Sequence, residues 1–348
     1  LAAAISCSDV LSDVGWRLAK WRLRFQSGII AEAPQFGAVG LAITFQSRRG
    51  QGQEDAIRFT SVEARIDAAA HAVLQRLPRG PLADGLIEFG VFGLKQAWAC
   101  LFGGLMLGMI IITRLWWPEI GLNRYDFWFL AALAIQAGMI ALKLETLEEA
   151  RIILIFHVVG TIMEIFKTAV GSWVYPDDAL FRLAGVPLFS GFMYACVGSY
   201  MVRILRIFDI TFTRYPPVWM TAFVASGIYI NFFTHHYFFD FRWVLFAAVV
   251  LLYGRSFMHY RVFRFRHAMP MLLAFLLVAL FIWIAENIGT WSRAWIYPSQ
   301  HDGWSLVSWS KLGSWYLLML ISVVLVTLVH PPRRYDPERV DGDGTRSS

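Results

Sequence analysis

Charge is what this chain of 348 residues has least of: Asp, Glu, Lys and Arg together make up 16% of it, where a soluble protein carries about 25%. The scarcity is concentrated in the middle. Residues 86–330 hold 17 of the 31 basic groups and 13 of the 25 acidic ones, gathered in clumps between long apolar stretches. Those stretches run to about 20 residues, the length that crosses a hydrocarbon core of ~30 Å. Cysteine is nearly absent as well. Cys7, Cys100 and Cys196 form no CxxC and no Cys/His spacing, which excludes a disulfide scaffold, a zinc finger and a thiol-redox motif. The sequence also lacks a phosphate-binding glycine loop, a GxSxG elbow and a catalytic-triad pattern. What fills the space is apolar: 57% of the chain is hydrophobic and 16% aromatic, with 28 Phe and 15 Trp. Disorder and a soluble enzyme fold are therefore excluded. The net charge of +6 comes from basic groups that flank the apolar stretches. Membrane orientation accounts for that placement, so the expected partner is the lipid bilayer, with no nucleic acid.

From Leu86 onward the pattern predicts eight spans, at roughly 94–114, 125–144, 151–169, 186–206, 216–235, 242–260, 270–290 and 311–330. Their ends are rich in amphipathic rings such as Trp116, Trp128, Trp173, Trp243 and Trp291, as expected at headgroup level. The segments are too long for barrel strands, so the expected fold is an all-α polytopic membrane protein. Residues 1–85 read as an N-terminal extension on the cytoplasmic side, loosely ordered, with a loop at Arg48–Asp55 and a short amphipathic helix from Val62 to Leu77. Beginning with Leu, the chain could be a fragment, a processed product or a misassigned start. Residues 331–348 read as a disordered tail. With both ends placed inside, the inner loops hold nine Lys/Arg, Arg203 among them, against six outside, Lys311 among them.

The most informative feature is a repetition at an offset of 122 residues. Glu164, Trp173, Tyr175 and Pro176 recur as Glu286, Trp295, Tyr297 and Pro298, while Thr168, Gly191 and Tyr194 match Thr290, Gly313 and Tyr316. The helix spacing agrees. A duplicated four-helix unit is expected, with repeat one at about 86–210 and repeat two at about 211–330; four crossings return the chain to the same face, so the copies would be parallel.

The repeat places two carboxylates about a turn inside the outer ends of spans three and seven. A charged side chain at such a depth costs roughly 2.5–3.5 kcal/mol unless it finds a partner or a water-filled cavity. Glu164 and Glu286 are therefore the first candidates for catalysis, and a structural bond to a neighbouring helix or to Lys167 is the alternative. His157, Thr161, Glu164 and Thr168 form one polar stripe on span three, and Trp283, Glu286, Asn287 and Thr290 its counterpart on span seven. His157 and Asn287 join the catalytic candidates. Trp173, Tyr175, Trp295, Tyr297 and Asn231 are candidates for substrate contact; the bland reading of the four aromatics is an interfacial belt. His235, His236 and Asp240 offer imidazole and carboxylate ligands for a metal, although the repeated histidine boxes of membrane di-iron desaturases are missing. No cofactor is specified.

Three runs of residues carry a resemblance: Phe89–Gly104, Met163–Thr168 with Gly171-Ser172-Trp173, and Thr234-His235-His236-Tyr237. In them the chain resembles the YoaT-like bacterial integral-membrane proteins, over about residues 86–330. The resemblance implies a multi-pass protein of the bacterial inner membrane and supplies no activity. A fainter similarity, in the Glu…Trp-x-Tyr stretch and Gly185-Val186-Pro187-Leu188, is to membrane carotenoid hydratases. It implies acid-catalysed addition of water to an isoprenoid double bond, by a carboxylic acid in an apolar site with aromatic faces beside it. Two functions from different classes are thus expected: a membrane enzyme with a Glu general acid acting on a lipophilic small molecule, or a proton-coupled transporter. A scaffold or sensor without chemistry is the third.

Overall fold

Away from water a backbone amide must find its partner within its own segment, and the apolar runs accordingly fold as helices. The computed structural model describes residues 61–74, 80–118 and 120–337. Among them ten α-helices follow one another: α1 (Ser61–Leu74), α2 (Pro81–Ala99), α3 (Leu101–Leu115), α4 (Arg124–Ala141), α5 (Leu147–Ala169), α6 (Phe189–Ile207), α7 (Val218–Thr234), α8 (Arg242–Tyr253), α9 (Met271–Trp291) and α10 (Trp309–Val329). The short strands β1 (Arg182–Leu183) and β2 (Val186–Pro187) form a hairpin before α6. Strands β3 (Thr211–Thr213), β4 (Phe257–Arg261) and β5 (Arg266–Pro270) make an antiparallel sheet in that order.

Among the described residues three segments are long and apolar enough to cross a membrane: Glu149–Ala169 in α5, Met271–Trp291 in α9 and Trp309–Thr327 in α10. The α2–α3 pair passes the same test as a fourth span bent by 71° at Cys100. Helices α7 and α8 are apolar but shorter. Phe223, Trp243 and Leu251 on these two leave 76%, 80% and 86% of their surface uncovered, an apolar exterior suited to lipid rather than water. The fold is thus mostly helical and bears the marks of a membrane protein.

The boundaries differ from the sequence reading at three places. The sixth apolar run was expected to stay helical to residue 260, but α8 stops at Tyr253 and the chain turns into β4. Alternating residues from Phe257 onward find a ladder with β3 and β5 there. Residues 186 and 187 belong to β2, ahead of α6. The amphipathic helix expected from Val62 is α1, anchored by a 2.9 Å ion pair from Asp67 to Lys95 of α2; the loop expected at 48–55 lies outside the described residues. Residues 331–337, which the sequence placed in a disordered tail, lie against β3. Phe212 donates to the Arg333 carbonyl, Tyr335 donates back to the Phe212 carbonyl, and Arg333 reaches Asp209 at 2.9 Å.

Two ends of the bundle can be told apart by their polar contacts. At one end, α5 begins with a capping box between Thr146 and Glu149, and Glu149 meets Arg206 of α6 at 2.5 Å. Arg203, which sequence counting assigned to a loop, is fully buried there. It pairs with Glu145 at 3.2 Å, and Ser199 and Gln136 donate to the same carboxylate. The turn between β4 and β5 is clasped at this end too: Glu88 accepts from the amides of Phe263 and Phe265, and Lys95 donates to the Val262 carbonyl. At the other end, the start of α4 pins the loops that follow α5 and α9. Buried Asp126 accepts from the amides of Leu180 and Phe181, and the Tyr125 hydroxyl donates to the Ala294 carbonyl.

Candidate functional site

Helices α5 and α9 stop in the same way, 122 residues apart. After α5, Gly171 takes a left-handed conformation (φ 73°) and the amides of Val170, Gly171 and Ser172 donate to the carbonyls of Phe166, Thr168 and Lys167. After α9, Arg293 occupies the equivalent position with φ 56°, and Ser292, Arg293 and Ala294 donate to Ile288, Thr290 and Gly289. Glycine adopts that conformation without cost, whereas arginine does so only where its surroundings hold it. Each reversal sends the chain back over the end of the helix it has just left. The two returning loops then meet. Val174 and Ile296 exchange both backbone hydrogen bonds, each 3.0 Å, in a single antiparallel bridge.

That return brings the aromatic residues onto the carboxylates. Glu164, 3% exposed, accepts three bonds: from the Trp173 indole (2.7 Å), the Tyr175 hydroxyl (2.5 Å) and the Tyr194 hydroxyl of α6 (2.8 Å). Glu286, 4% exposed, accepts from the Tyr297 hydroxyl and from the Trp315 indole of α10 at 2.8 Å. The Tyr175 and Tyr297 hydroxyls are held well above the ordinary phenol range, first by burial and then by the neighbouring glutamate, so both remain donors. Trp173 stands edge-on to Tyr297 with ring centres 6.0 Å apart, linking one donor set to the other.

Both carboxylates line a single cavity of about 1490 Å³. Its lining also includes Glu149 and Arg206 at the opposite end of the bundle. Eighteen residues of α5 separate Glu149 from Lys167, so at 1.5 Å per residue the cavity extends about 27 Å along the helix axis. Between these ends its walls are formed by side chains such as Met193, Met201, Phe275, Val278, Phe281 and Ile282. Two ammonium groups face it near the carboxylates. Lys167 shares a 2.8 Å hydrogen bond with Nε2 of His236 and lies 4.1 Å over the Phe232 ring. Lys311, which sequence counting put among outer-loop charges, lies 4.4 Å over Tyr297 and 5.3 Å over Trp173. Lys167 thus does not pair with Glu164, the alternative raised by their spacing, because the aromatic donors already occupy that carboxylate.

The remaining sequence candidates divide. Asn231 and His235 line the cavity. Asn231 donates to Asp240 at 3.0 Å and accepts from the Phe241 amide. Trp295 also lines the cavity but does not repeat the bond that Trp173 makes; its ring packs against Gly289. His157 is absent from the lining and packs beside Gly191 and the Phe192 ring, 4.5 Å from its centre. Asn287 is occupied structurally, donating to the Trp283 carbonyl and accepting from the Val307 amide. The three candidate metal ligands do not converge on one point, although the ring centres of His235 and His236 lie 4.0 Å apart; His235 Nδ1 turns to the Asn231 carbonyl. His236 turns to Lys167, and burial followed by that positive charge holds it below the usual imidazole range. Asp240 turns to Asn231 and, at 3.2 Å, Arg242. Among the described residues no group of three or more His, Cys, Asp or Glu side chains stands at metal-binding spacing.

Tyr194 and Trp315 are the donors that sequence reading missed. Tyr194 had been matched to Tyr316 by the offset, but at Glu286 the bond comes from the residue before it.

Comparison with known proteins gives a consistent result. A relative from Bacillus subtilis (strain 168), the uncharacterised protein YoaT, is 38% identical over 252 residues, which is 72% of this chain and 95% of the relative. No solved structure matches. The resemblance to YoaT-like proteins is carried by these matches; the one to carotenoid hydratases is not. The family model for a protein of unknown function (DUF817) matches residues 88–323, a range that contains both glutamates and every donor that reaches them. The chain therefore belongs to the DUF817 family.

Proposed function

We propose that this protein is a membrane enzyme in which the Glu164–Glu286 pair performs acid–base chemistry on a lipophilic, isoprenoid-like molecule lodged in the cavity. The observation that carries the reading is that both buried carboxylates open onto one long, largely apolar chamber. A carboxyl group gives its proton to a double bond; aromatic rings on the cavity wall such as Trp295 and Phe281 stabilise the resulting cation. Water adds to the cation, and the second carboxylate takes the proton released. Substituting glutamine at Glu164 or Glu286 keeps the shape of the side chain and removes its acid function. Comparing the lipid and isoprenoid profiles of cells expressing wild type and the two variants tests the proposal. A product present in wild type and lost in both variants supports it; three indistinguishable profiles refute it. Lowered folded yield with no other change would instead indicate a scaffold.

The finer architecture belongs to the same proposal. Eight crossings, α3 to α10, would form two parallel four-helix repeats in the bacterial inner membrane, with both termini in the cytoplasm. Supporting this are the 122-residue offset that carries α5 onto α9 and α6 onto α10, and the matched left-handed residues Gly171 and Arg293. A second reading, a proton-coupled transporter, is favoured by one observation: the cavity reaches from Glu286 to Arg206, near both ends of the bundle. Solute flux in proteoliposomes that follows a proton gradient and is abolished by the glutamine variants would establish it.

A further inference from the structure

We propose that the cavity receives an anionic amphiphile whose phosphate or carboxylate head lies between Lys167 and Lys311 and whose apolar chain runs down the chamber. This deepens the reading of a lipophilic substrate and rests on it.

The reason lies in the two ammonium groups. Lys167 is 4% exposed, and its hydrogen-bond partner is an imidazole rather than an acid. Lys311 is held over the faces of Tyr297 and Trp173. Among the described residues neither lysine has a carboxylate within ion-pairing distance. The carboxylates nearby are already engaged. Glu164 and Glu286 accept from indoles and phenols, and Asp240 is taken by Asn231 and Arg242. A buried cation out of contact with any carboxylate is costly, and although Glu286 and Glu164 act on Lys311 from beyond ion-pairing distance, each ammonium has donors to spare. The two lysines are close enough to act on each other electrostatically, and both line the same chamber. An anion placed between them would relieve their repulsion and accept charge-assisted hydrogen bonds.

The lysines also do not follow the duplication. Positions 122 residues away are Gly289 for Lys167 and Phe189 for Lys311. The glutamates and their loops repeat, whereas the cations occur once each, on α5 and on α10. A substrate with one head and one tail calls for that asymmetry. It also sets the order of contacts, with the head at the lysines, the adjoining carbons beside the glutamates, and the far end of the chain toward Met201 and Phe275.

The test is binding to the purified full-length protein in a neutral detergent, followed by tryptophan fluorescence and native mass spectrometry. Hexadecyl phosphate, palmitate, hexadecanol and inorganic phosphate are the probes. Hexadecyl phosphate and palmitate are expected to bind at least tenfold more tightly than hexadecanol, and inorganic phosphate to bind weakly, which separates an amphiphile from the free ion. Inorganic phosphate binding as tightly as hexadecyl phosphate would overturn the amphiphile. The preference is expected to vanish in Lys167→Met/Lys311→Met and to survive in Lys167→Arg and in Glu164→Gln/Glu286→Gln. Hexadecanol binding as tightly as hexadecyl phosphate in wild type would overturn the anionic head while leaving the lipophilic reading intact. Binding of no amphiphile at all would overturn both. The wild-type comparison decides the matter even if the methionine variant does not fold.

Discussion

Replacing Gly160 by alanine tests whether the close approach of α5 and α6 sets the geometry around Glu164. A Cβ built on Gly160 would stand 2.5 Å from Cδ2 and Cγ of Tyr194 and 2.7 Å from its Cβ, well inside the ~3.5–4.0 Å of normal carbon contact. Because Tyr194 Cβ is fixed to the backbone of α6, the ring cannot yield without moving that helix. Overpacking of this kind costs ~1–3 kcal/mol. Displacing the ring also forfeits the 2.8 Å bond from its hydroxyl to Glu164, worth ~1.5–3 kcal/mol with a charged acceptor. The better helix propensity of alanine returns ~1 kcal/mol. The net loss should be about 1.5–5 kcal/mol. Gly138→Ala on α4, where a Cβ would meet nothing within 4 Å, should stabilise by up to ~1 kcal/mol. Both can be measured from the folded fraction in detergent across a denaturant titration. The critical comparison is a cycle with Tyr194→Gly, which removes the Cβ as well as the ring. In that background the added methyl has room, so Gly160→Ala should cost nothing. An equal loss in the two backgrounds would refute the steric argument.

Other consequences are open to measurement. Arg203→Met should destabilise the fold by ~3–5 kcal/mol, since it leaves Glu145 buried without its cation; adding Glu145→Leu should recover most of that loss in the same denaturant titration. Asp209 is half-buried. Burial opposes its ionisation, but Arg266 and Arg333 outweigh it and hold its pKa below the ordinary 3.8. A lowered carboxylate pKa contributes stability that is present above the unfolded value and lost as pH falls through the folded one. The contact of the segment around Arg333 should therefore persist at pH 5 and release only below about pH 4, read by limited proteolysis after acid incubation. Asp209→Asn should release it already at pH 7. Proteolysis at Arg333 that is the same at every pH would show that Asp209 does not hold the segment.

The helical architecture was legible because lipid-compatible sequence must satisfy its backbone locally, and eight apolar runs announced where that happens. The end of α8 was not, since Phe257 to Arg261 is as apolar as a helix terminus and only its pairing with residues 211–213 and 266–270 makes it a strand. Glu164 and Glu286 stood out by depth and by repetition. Their environment could not be read the same way. Whether Trp173 lies at a membrane interface or folds back onto Glu164 depends on the reversal at Gly171, and a single glycine carries no such instruction on its own. Counting charges also misplaced Arg203 and Lys311: a basic residue near a helix end reads as a loop until its partners, Glu145 for one and the Tyr297 ring for the other, are located.

The pair of hydrogen bonds between Val174 and Ile296 has a mechanical corollary. It rivets together two loops that each present indole or phenol donors to a different carboxylate, and Trp173 leaning on Tyr297 braces the joint from the side. Neither loop can lift away alone without tugging its twin. A ligand that pries Trp173 from Glu164 must transmit part of that displacement to Tyr297 and so to Glu286. The two acids thus share one clasp.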